Sequence, residues 1–326
     1  MTLLDVRGLS VLLPSASGAA VPVVDEVSFA VHSGSVTGLI GESGSGKTMT
    51  AMAVIGLLPE GASCSGELWW AGEDLLAADP ARRRRARGRE IAMIFQDPLA
   101  ALNPSQTIGR QVGEILRRDG LPRARVRERV LAALERVGVP DPARRIGQYP
   151  HQFSGGLRQR AMIALALAGE PRLLLADEPT TALDVTVQAR VLDLLRRLRA
   201  ETGQAMLFVS HDLRVIAHVA DEVVVMYAGR VAERGPVRQV FRAPHHPYTR
   251  ALVESVPAVR AKSVPAEPLP GAPASPLARP AGCAFHPRCP LARDRCRRER
   301  PEVRALAPGR HTACHFAEEL AAGARP

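Results

Sequence analysis

Long apolar runs are missing from this chain of 326 residues. No run reaches the roughly 18 residues that a membrane-spanning helix needs, so no segment is expected to cross a bilayer. The N-terminus MTLLDVRGLS lacks the basic start and the long apolar stretch of a signal peptide. The sequence therefore predicts a cytosolic protein, which could still dock on a membrane protein.

Lysine is almost absent as well. Only two of the 43 basic residues are lysines, Lys47 and Lys262, and the net charge is +10. Such a charge could indicate a nucleic-acid partner, but the excess of arginine is typical of a genome-wide compositional bias. The densest run, Arg82–Arg85 with Arg87 and Arg89, has no interleaved aromatic residues on which bases could stack. We expect a solvated loop or a contact to acidic protein or lipid there, and no nucleic-acid partner.

Apolar residues make up 46% of the chain, which is enough for a packed core, and the length suggests about two domains. Residues 3–34 alternate like an antiparallel β-layer with a turn at Pro14–Gly18. Strand and helix patterns then alternate, which predicts a mostly parallel α/β sheet. Helical periodicity between Pro98 and Pro150 predicts an inserted helical subdomain. Pro257–Ala281, rich in proline and alanine, is typical of a linker or extended arm.

GESGSGKT matches the phosphate-binding loop pattern in full. The loop comprises Gly41, Glu42, Ser43, Gly44, Ser45, Gly46, Lys47 and Thr48. Strand Ser35–Ile40 precedes it and helix Thr48–Leu58 follows it, as such a loop requires. Its glycines let backbone N–H groups converge on phosphate oxygens, Lys47 neutralises the β- and γ-phosphates, and the Thr48 hydroxyl is expected to ligate Mg²⁺.

The predicted strand Leu173–Ala176 ends in two acids that complete a nucleotide site. Asp177 is expected to reach the Mg²⁺ shell, while Glu178 points towards the attacking water as general base. Gln96 closes the predicted strand Ile91–Phe95, where its amide could touch Mg²⁺ or the water. His211 follows the predicted strand Ala205–Ser210 and could bond the γ-phosphate, although a histidine in such a loop, taken alone, is more often structural.

Ser154-Gly155-Gly156 stands in the run FSGGLRQR, about twenty residues before the acidic strand. The run begins the predicted helix Gly155–Leu167. Its position relative to the phosphate loop and the acidic strand predicts that the nucleotide site is shared between two subunits.

Together these motifs resemble an ABC-transporter ATPase subunit. GESGSGKT, Gln96, FSGGLRQR, LLLADEP, Ala182-Leu183-Asp184 and Ser210-His211-Asp212 stand in that family's order. The resemblance implies a RecA-like core, an antiparallel β-subdomain and a helical subdomain at about 98–165. It also implies two subunits that close head to tail, so that Ser154–Gly156 of one meets the γ-phosphate of ATP on the other and Asp184 lies at the seam.

FQDPLAALNPSQTIGRQV, YPHQFSGGLRQRAMIALAL and HHPYTRAL resemble the oligopeptide/dipeptide importer branch, which includes nickel importers. The resemblance implies a second ATPase, identical or related, two membrane permeases and an extracellular solute-binding protein. It implies a place on the cytoplasmic face of the inner membrane. Leu157 replaces the glutamine that many ABC proteins carry, and we expect activity to survive. The aliphatic Leu13 stands near the position where many carry an adenine-stacking aromatic.

Four cysteines, Cys283, Cys289, Cys296 and Cys314, cluster near the C-terminus. In the cytosol such a group is more often a metal site than a disulfide framework. Zinc sites show closer pairs, whereas gaps of this width suit a four-iron–four-sulfur cluster held by four thiolates. Nearby histidines make a zinc site a second possibility, and four free thiols are the third. The block also resembles the C-terminal motif of oligopeptide/dipeptide ATPases, for which such a cluster is implied.

These features predict an ATPase domain over residues 1–255 and a proline-rich arm with a cysteine-rich extension over 256–326. The predicted activity is hydrolysis of ATP to drive import of di- or oligopeptides. A nickel or other small-solute importer on the same scaffold is the alternative. A soluble ABC ATPase acting on nucleic acid or ribosomes is a different class, less favoured because the chain has one cassette and no long heptad run. A regulatory module that does not hydrolyse ATP is the third alternative function.

Overall fold

Alternating apolar residues build the first two strands, β1 (Thr2–Pro14) and β2 (Ala20–His32), which pair antiparallel. The computed structural model describes residues 1–15, 18, 20–118, 120–181, 184–256 and 271–321. Gly18 N donates to Ser15 O at 2.9 Å within the predicted turn. The elements that follow up to residue 78 are β3 (Val36–Ile40), α1 (Lys47–Ile55), β4 (Ser63–Trp70) and β5 (Glu73–Asp74).

Helices dominate the middle of the chain. In order they and the strands between them are α2 (Pro80–Arg89), β6 (Ile91–Ile94), α3 (Pro98–Ala101), α4 (Ile108–Val112), α5 (Glu114–Arg118), α6 (Arg123–Arg136), α7 (Pro142–Arg145), α8 (Gly155–Leu167), β7 (Leu173–Asp177), α9 (Val185–Thr202) and β8 (Ala205–Ser210). A short 3-10 helix, Pro150–Gln152, precedes α8.

The C-terminal stretch returns to mixed structure. Its elements are α10 (Leu213–Val219), β9 (Glu222–Tyr227), β10 (Arg230–Pro236), α11 (Val237–Arg242), α12 (Pro247–Glu254), α13 (Asp294–Arg298), β11 (Arg304–Ala307), β12 (Arg310–Thr312) and α14 (Ala317–Ala321). Two 3-10 helices, Pro276–Ala278 and His286–Arg288, lie between α12 and α13. The predicted linker 257–281 falls outside the described residues as far as residue 270.

The chain divides into two units, Met1–Ala78 with Leu207 onward, and Asp79–Met206. In the first unit β2, β1, β4 and β5 form an antiparallel sheet in that order. There β3 pairs parallel with β9, and β10, β12 and β11 continue antiparallel. In the second unit β6 and β7 pair parallel among helices. Parallel pairs and helices confirm the predicted α/β class.

The arginine-rich segment is solvated, as predicted, since Arg83, Arg84 and Arg85 are exposed, but it is a helix with a kink at Arg87 and Gly88 instead of a loop. Asp79 caps α2 by accepting from Arg82 N at 2.8 Å, and proline occupies the first turn. Arginine is a good helix former, and Arg82 also pairs with Glu90 at 2.7 Å. The composition predicts a charged, exposed segment, but it does not show that the Asp79 cap favours a helical backbone.

Glycines set the ends of two helices. Helix α1 stops at Ile55, earlier than predicted, because Gly56 takes a left-handed conformation at φ 69° and caps it. Within the stretch Pro98–Pro150, where helical periodicity predicts an inserted subdomain, α4 and α5 are separated at Gly113. By contrast, α8 and β8 have the bounds that the sequence predicts.

Among the described residues, no helix combines the length and the apolar character needed to traverse a lipid bilayer.

Within the first unit, a buried ion pair ties β12 to β10. Glu233 on β10 is 0% exposed, and Arg310 on β12 lies 2.6 Å from its carboxylate. The backbone N–H groups of His245 and His246 donate to the same carboxylate at 2.9 and 3.0 Å. Buried charges are tolerated when they are paired and hydrogen-bonded in this way.

Replacing Arg310 by leucine leaves the Glu233 carboxylate buried without its cation. We expect Arg310→Leu to lower the free energy of unfolding by about 3–5 kcal/mol, measured by urea unfolding of the full-length protein. The control is Arg125→Leu, which removes an exposed pair with Glu128 and should cost less than about 1 kcal/mol. Equal losses in the two variants would contradict the importance of the buried pair.

Candidate functional site

The phosphate loop that follows β3 can be built only with glycine at two of its positions. Gly41 has φ 153°, and a Cβ there would lie 2.2 Å from Met226 O. Gly46 has φ 96°, and a Cβ there would lie 2.8 Å from Val23 O. Distances below 3 Å exclude a side chain, so the backbone of this loop packs directly against neighbouring backbone.

Lys47 opens α1 and is 5% exposed. Its Nζ donates to Gly41 O at 2.9 Å and to Glu42 O at 3.0 Å, so the loop wraps around the ammonium group. The buried Ser45 Oγ finds no hydrogen-bond partner within the described part of the chain. A helix start, an ammonium group and an unused hydroxyl at one loop suit a phosphate ligand, and these residues therefore fit a nucleotide.

Two residues that the sequence analysis did not assign to the site contact Glu42 of this loop. The Tyr248 hydroxyl accepts from Glu42 N at 2.8 Å. Arg288 binds the Glu42 carboxylate through both terminal nitrogens, at 2.7 and 3.1 Å. Burial raises the pKa of Tyr248 far above its ordinary value, so the hydroxyl stays neutral. No local sequence signal indicates either contact, because the partners are more than 200 residues apart.

In the second unit, β7 is buried along its whole length and ends at Asp177, which is 2% exposed. Glu178 follows with φ 45°, a left-handed conformation that is strained for glutamate. Its Oε2 accepts from Gln96 Nε2 at 3.2 Å and from Thr181 Oγ1 at 2.8 Å. The structure thus brings the predicted Gln96 and Glu178 together and adds Thr181, which the sequence analysis missed.

Ser154 stands at the N-cap of α8 without a side-chain cap bond, and the helix starts at Gly155. Ser154 and Gly155 are exposed, and a Cβ on Gly155 would meet nothing within 4 Å. One helical turn later the buried Gln159 donates to Pro179 O at 2.6 Å. The helix start is therefore accessible, while its first turns are tied to the loop after β7.

Asp184 caps α9 by accepting from Val187 N at 2.9 Å. The two residues before it in the motif, Ala182 and Leu183, lie outside the described residues. His211 is exposed and follows β8.

The predicted residues fall into two groups. The loop 41–48 and His211 belong to the first unit. The remaining predicted nucleotide residues, namely Gln96, Ser154, Gly155, Gly156, Asp177, Glu178 and Asp184, belong to the second unit. The first unit thus carries the cation and amides that suit phosphates, and the second carries the carboxylates that suit a metal ion and a water.

All four C-terminal cysteines, Cys283, Cys289, Cys296 and Cys314, line one small cavity of about 20 Å³. Burial raises the pKa of Cys289 to about 11 and that of Cys314 to about 12. Thiolates in this apolar place would need a cation to compensate their charge. The described residues include no group of three or more His, Cys, Asp or Glu side chains arranged to hold a metal ion.

Two family models match the chain. The model described as ABC transporter covers residues 24–181. The model described as oligopeptide/dipeptide transporter, C-terminal region, covers residues 232–296.

A curated relative and two solved structures are similar over long stretches. The dipeptide transport ATP-binding protein DppD of Escherichia coli (strain K12) is 44% identical over 318 residues, which are 97% of each chain. The structure of cbiO1 from Clostridium perfringens, part of the ABC transporter complex cbiONQ, has a TM-score of 0.63 at 27% identity, covering 74% of this chain and 91% of that one. The ATP-binding cassette MJ0796 with ADP and Pi has a TM-score of 0.64 at 25% identity, covering 72% and 99%.

Proposed function

Because this chain belongs to the ABC transporter family, as an ATP-binding subunit, we propose that it hydrolyses ATP to drive an importer of dipeptides or oligopeptides. The observation that carries the peptide assignment is the similarity to a dipeptide transport ATP-binding protein over 97% of both chains. The match to the oligopeptide/dipeptide C-terminal region over residues 232–296 supports it, since that part lies beyond the ATP-binding motifs.

In this proposal the loop 41–48 binds the β- and γ-phosphates through its backbone N–H groups and Lys47. Thr48, Gln96 and Asp177 would hold Mg²⁺, which supplies charge neutralisation at the phosphates when bound. His211 contacts the γ-phosphate. The hydroxyl of Ser45, buried and unpartnered among the described residues, is a further donor available to the loop's ligand.

Glu178 is the proposed general base. Its carboxylate accepts a proton from the attacking water as the water oxygen bonds to the γ-phosphorus and the bond to the ADP oxygen breaks, giving ADP and phosphate. The bonds from Gln96 and Thr181 to Oε2 orient the carboxylate. Gln96 thus contacts the base directly, so movement of the adjoining helical segment can change the base's orientation.

We further propose that Ser154, Gly155 and Gly156 serve ATP on a second ATPase subunit, identical or related, with Asp184 at the seam. The exposed, uncapped start of α8 supports this, because its free N–H groups suit an incoming phosphate. The two ATPase subunits would act on two membrane permeases. A solute-binding protein would deliver the transported solute to these permeases. The proposed location is the cytoplasmic face of the inner membrane.

For the four cysteines we propose a four-iron–four-sulfur cluster of structural role. Four cysteines lining one cavity support a metal centre. One zinc ion at about 2.3 Å from each sulfur would draw the sulfurs within about 4 Å of one another, and the described residues have no such single-ion group. The cavity has room for about one water-sized atom, so a cluster requires the side chains to move outward.

Replacing the proposed base should separate binding from hydrolysis. We expect Glu178→Gln to lower kcat for ATP hydrolysis by about 10²–10⁴-fold while the Kd for ATP stays within about twofold, measured with purified protein and its partner ATPase. The control Glu201→Gln changes an exposed glutamate of α9 and should leave both values unchanged. Unaltered turnover in Glu178→Gln would refute the assignment of the base.

Transport specificity can be tested in the source organism after deletion of the gene. Uptake of a radiolabelled dipeptide should fall, return with the wild-type gene, and fail to return with Lys47→Ala. Uptake of radioactive nickel should not change. If nickel uptake falls and dipeptide uptake does not, the nickel alternative replaces the peptide proposal.

Anaerobic purification followed by metal analysis tests the cysteine site. We expect about four iron atoms and four acid-labile sulfide ions per chain. Both should be lost in the double variant Cys289→Ser/Cys314→Ser. The control is Cys64→Ser on β4, a cysteine that does not line the cavity. Stoichiometric zinc without iron would contradict the cluster, and a metal-free protein would contradict any metal centre.

A further inference from the structure

An arginine of the cysteine-rich region reaches into the phosphate loop. Arg288 stands directly before Cys289, and both partners of its ion pair belong to the first unit. The Arg288 side chain is 5% exposed, and its two terminal nitrogens lie 2.7 and 3.1 Å from the two oxygens of Glu42. Such a two-bond pair fixes the orientation of the carboxylate as well as its distance.

Aromatic rings enclose this pair on the side of the C-terminal region. The Arg288 guanidinium lies 5.9 Å from the ring centres of Tyr227 and Phe285. The rings of Tyr227 and Tyr248 are 4.6 Å apart, and the ring of Phe285 lies 5.2 and 5.4 Å from them. Because the Arg288 guanidinium is buried beside these rings while Glu42 is partly exposed, the pair is less screened by salt than a fully exposed ion pair.

Glu42 is held by its backbone as well as by its side chain. Its N–H donates to the Tyr248 hydroxyl at 2.8 Å, and its C=O accepts from Lys47 Nζ at 3.0 Å. A shift of Glu42 would therefore move one of the two carbonyl groups that orient the Lys47 ammonium. Arg288 is thus two contacts away from the phosphate-binding cation.

We propose that Arg288 is a positioning residue for ATP binding, which holds Glu42 and through it the first half of the phosphate loop in the conformation that receives the phosphates. It makes the affinity for ATP depend on the folded cysteine-rich region that carries it. The role requires that the loop binds ATP, as the family does, and is independent of the transported solute and of the metal at the cysteines.

The test compares Arg288→Met and Glu42→Gln in the full-length protein with its partner ATPase. Each should raise the KM for ATP about tenfold, because each removes charge-assisted hydrogen bonds that hold Glu42, while kcat stays within about twofold. Arg288→Lys keeps the charge but loses the two-bond geometry and should fall between wild type and Arg288→Met. The double variant should be no worse than the poorer single one, because both remove one interaction.

The matched control is Arg295→Met, in the same region, whose exposed partner is Glu299, and its KM should not change. Thermal unfolding separates positioning from folding: Arg288→Lys and Glu42→Gln keep the proposal testable if Arg288→Met does not fold. An unchanged KM in Arg288→Met and Glu42→Gln would overturn the proposal. A lower KM would also overturn it, because the ion pair would then hold the loop in a closed state. A fall in kcat without a change in KM would overturn it as well.

Discussion

The first unit depends on keeping one buried ammonium group ready for phosphates. Burying a charge is costly unless polar groups surround it, and the carbonyl groups of Gly41 and Glu42 do this for Lys47. Carbonyl dipoles compensate the charge without cancelling it, so the ammonium can still attract an anion. They point inwards because Gly41 takes φ 153°, against the backbone of Met226, where a side chain cannot fit. The loop's shape is thus decided by packing of backbone on backbone.

In the second unit the key feature is the strained backbone of Glu178, whose side chain is held by neighbouring residues. Glu178 has φ 45°, a conformation that persists only where the surroundings enforce it. Gln96 and Thr181 hold its carboxylate. Gln159 of α8 binds Pro179 O, the carbonyl of the next residue. The helix that starts at Gly155 is therefore joined by a hydrogen bond to the loop that carries the proposed base.

Local patterns predicted local structure well, whereas contacts between residues far apart in the chain carried a signal only where both followed strands. The bounds of α8 and β8 follow from apolar runs with clear ends, and the α/β class follows from their alternation. The contact between Gln96 and Glu178 was within reach because each lies just after a strand of the same parallel pair. Arg288 and Glu42 carry no such signal, since 246 residues separate them and only the folded chain brings them together. The helix α2 was mistaken for a loop because charge density says nothing about a capped backbone.

The arginine-rich composition acquires a structural meaning at the C-terminal region. Three arginines from it each bind a carboxylate from an earlier part of the first unit, and all three are largely buried; the pairs are Arg279 with Asp25, Arg288 with Glu42, and Arg310 with Glu233. An extension attached by apolar contact alone could slide, whereas hydrogen-bonded ion pairs fix direction and distance. Three separate ion pairs are enough to define the position of this C-terminal region. The cysteine-rich region is thus fastened to the same unit that holds the phosphate loop, and one of its anchors is a residue of that loop.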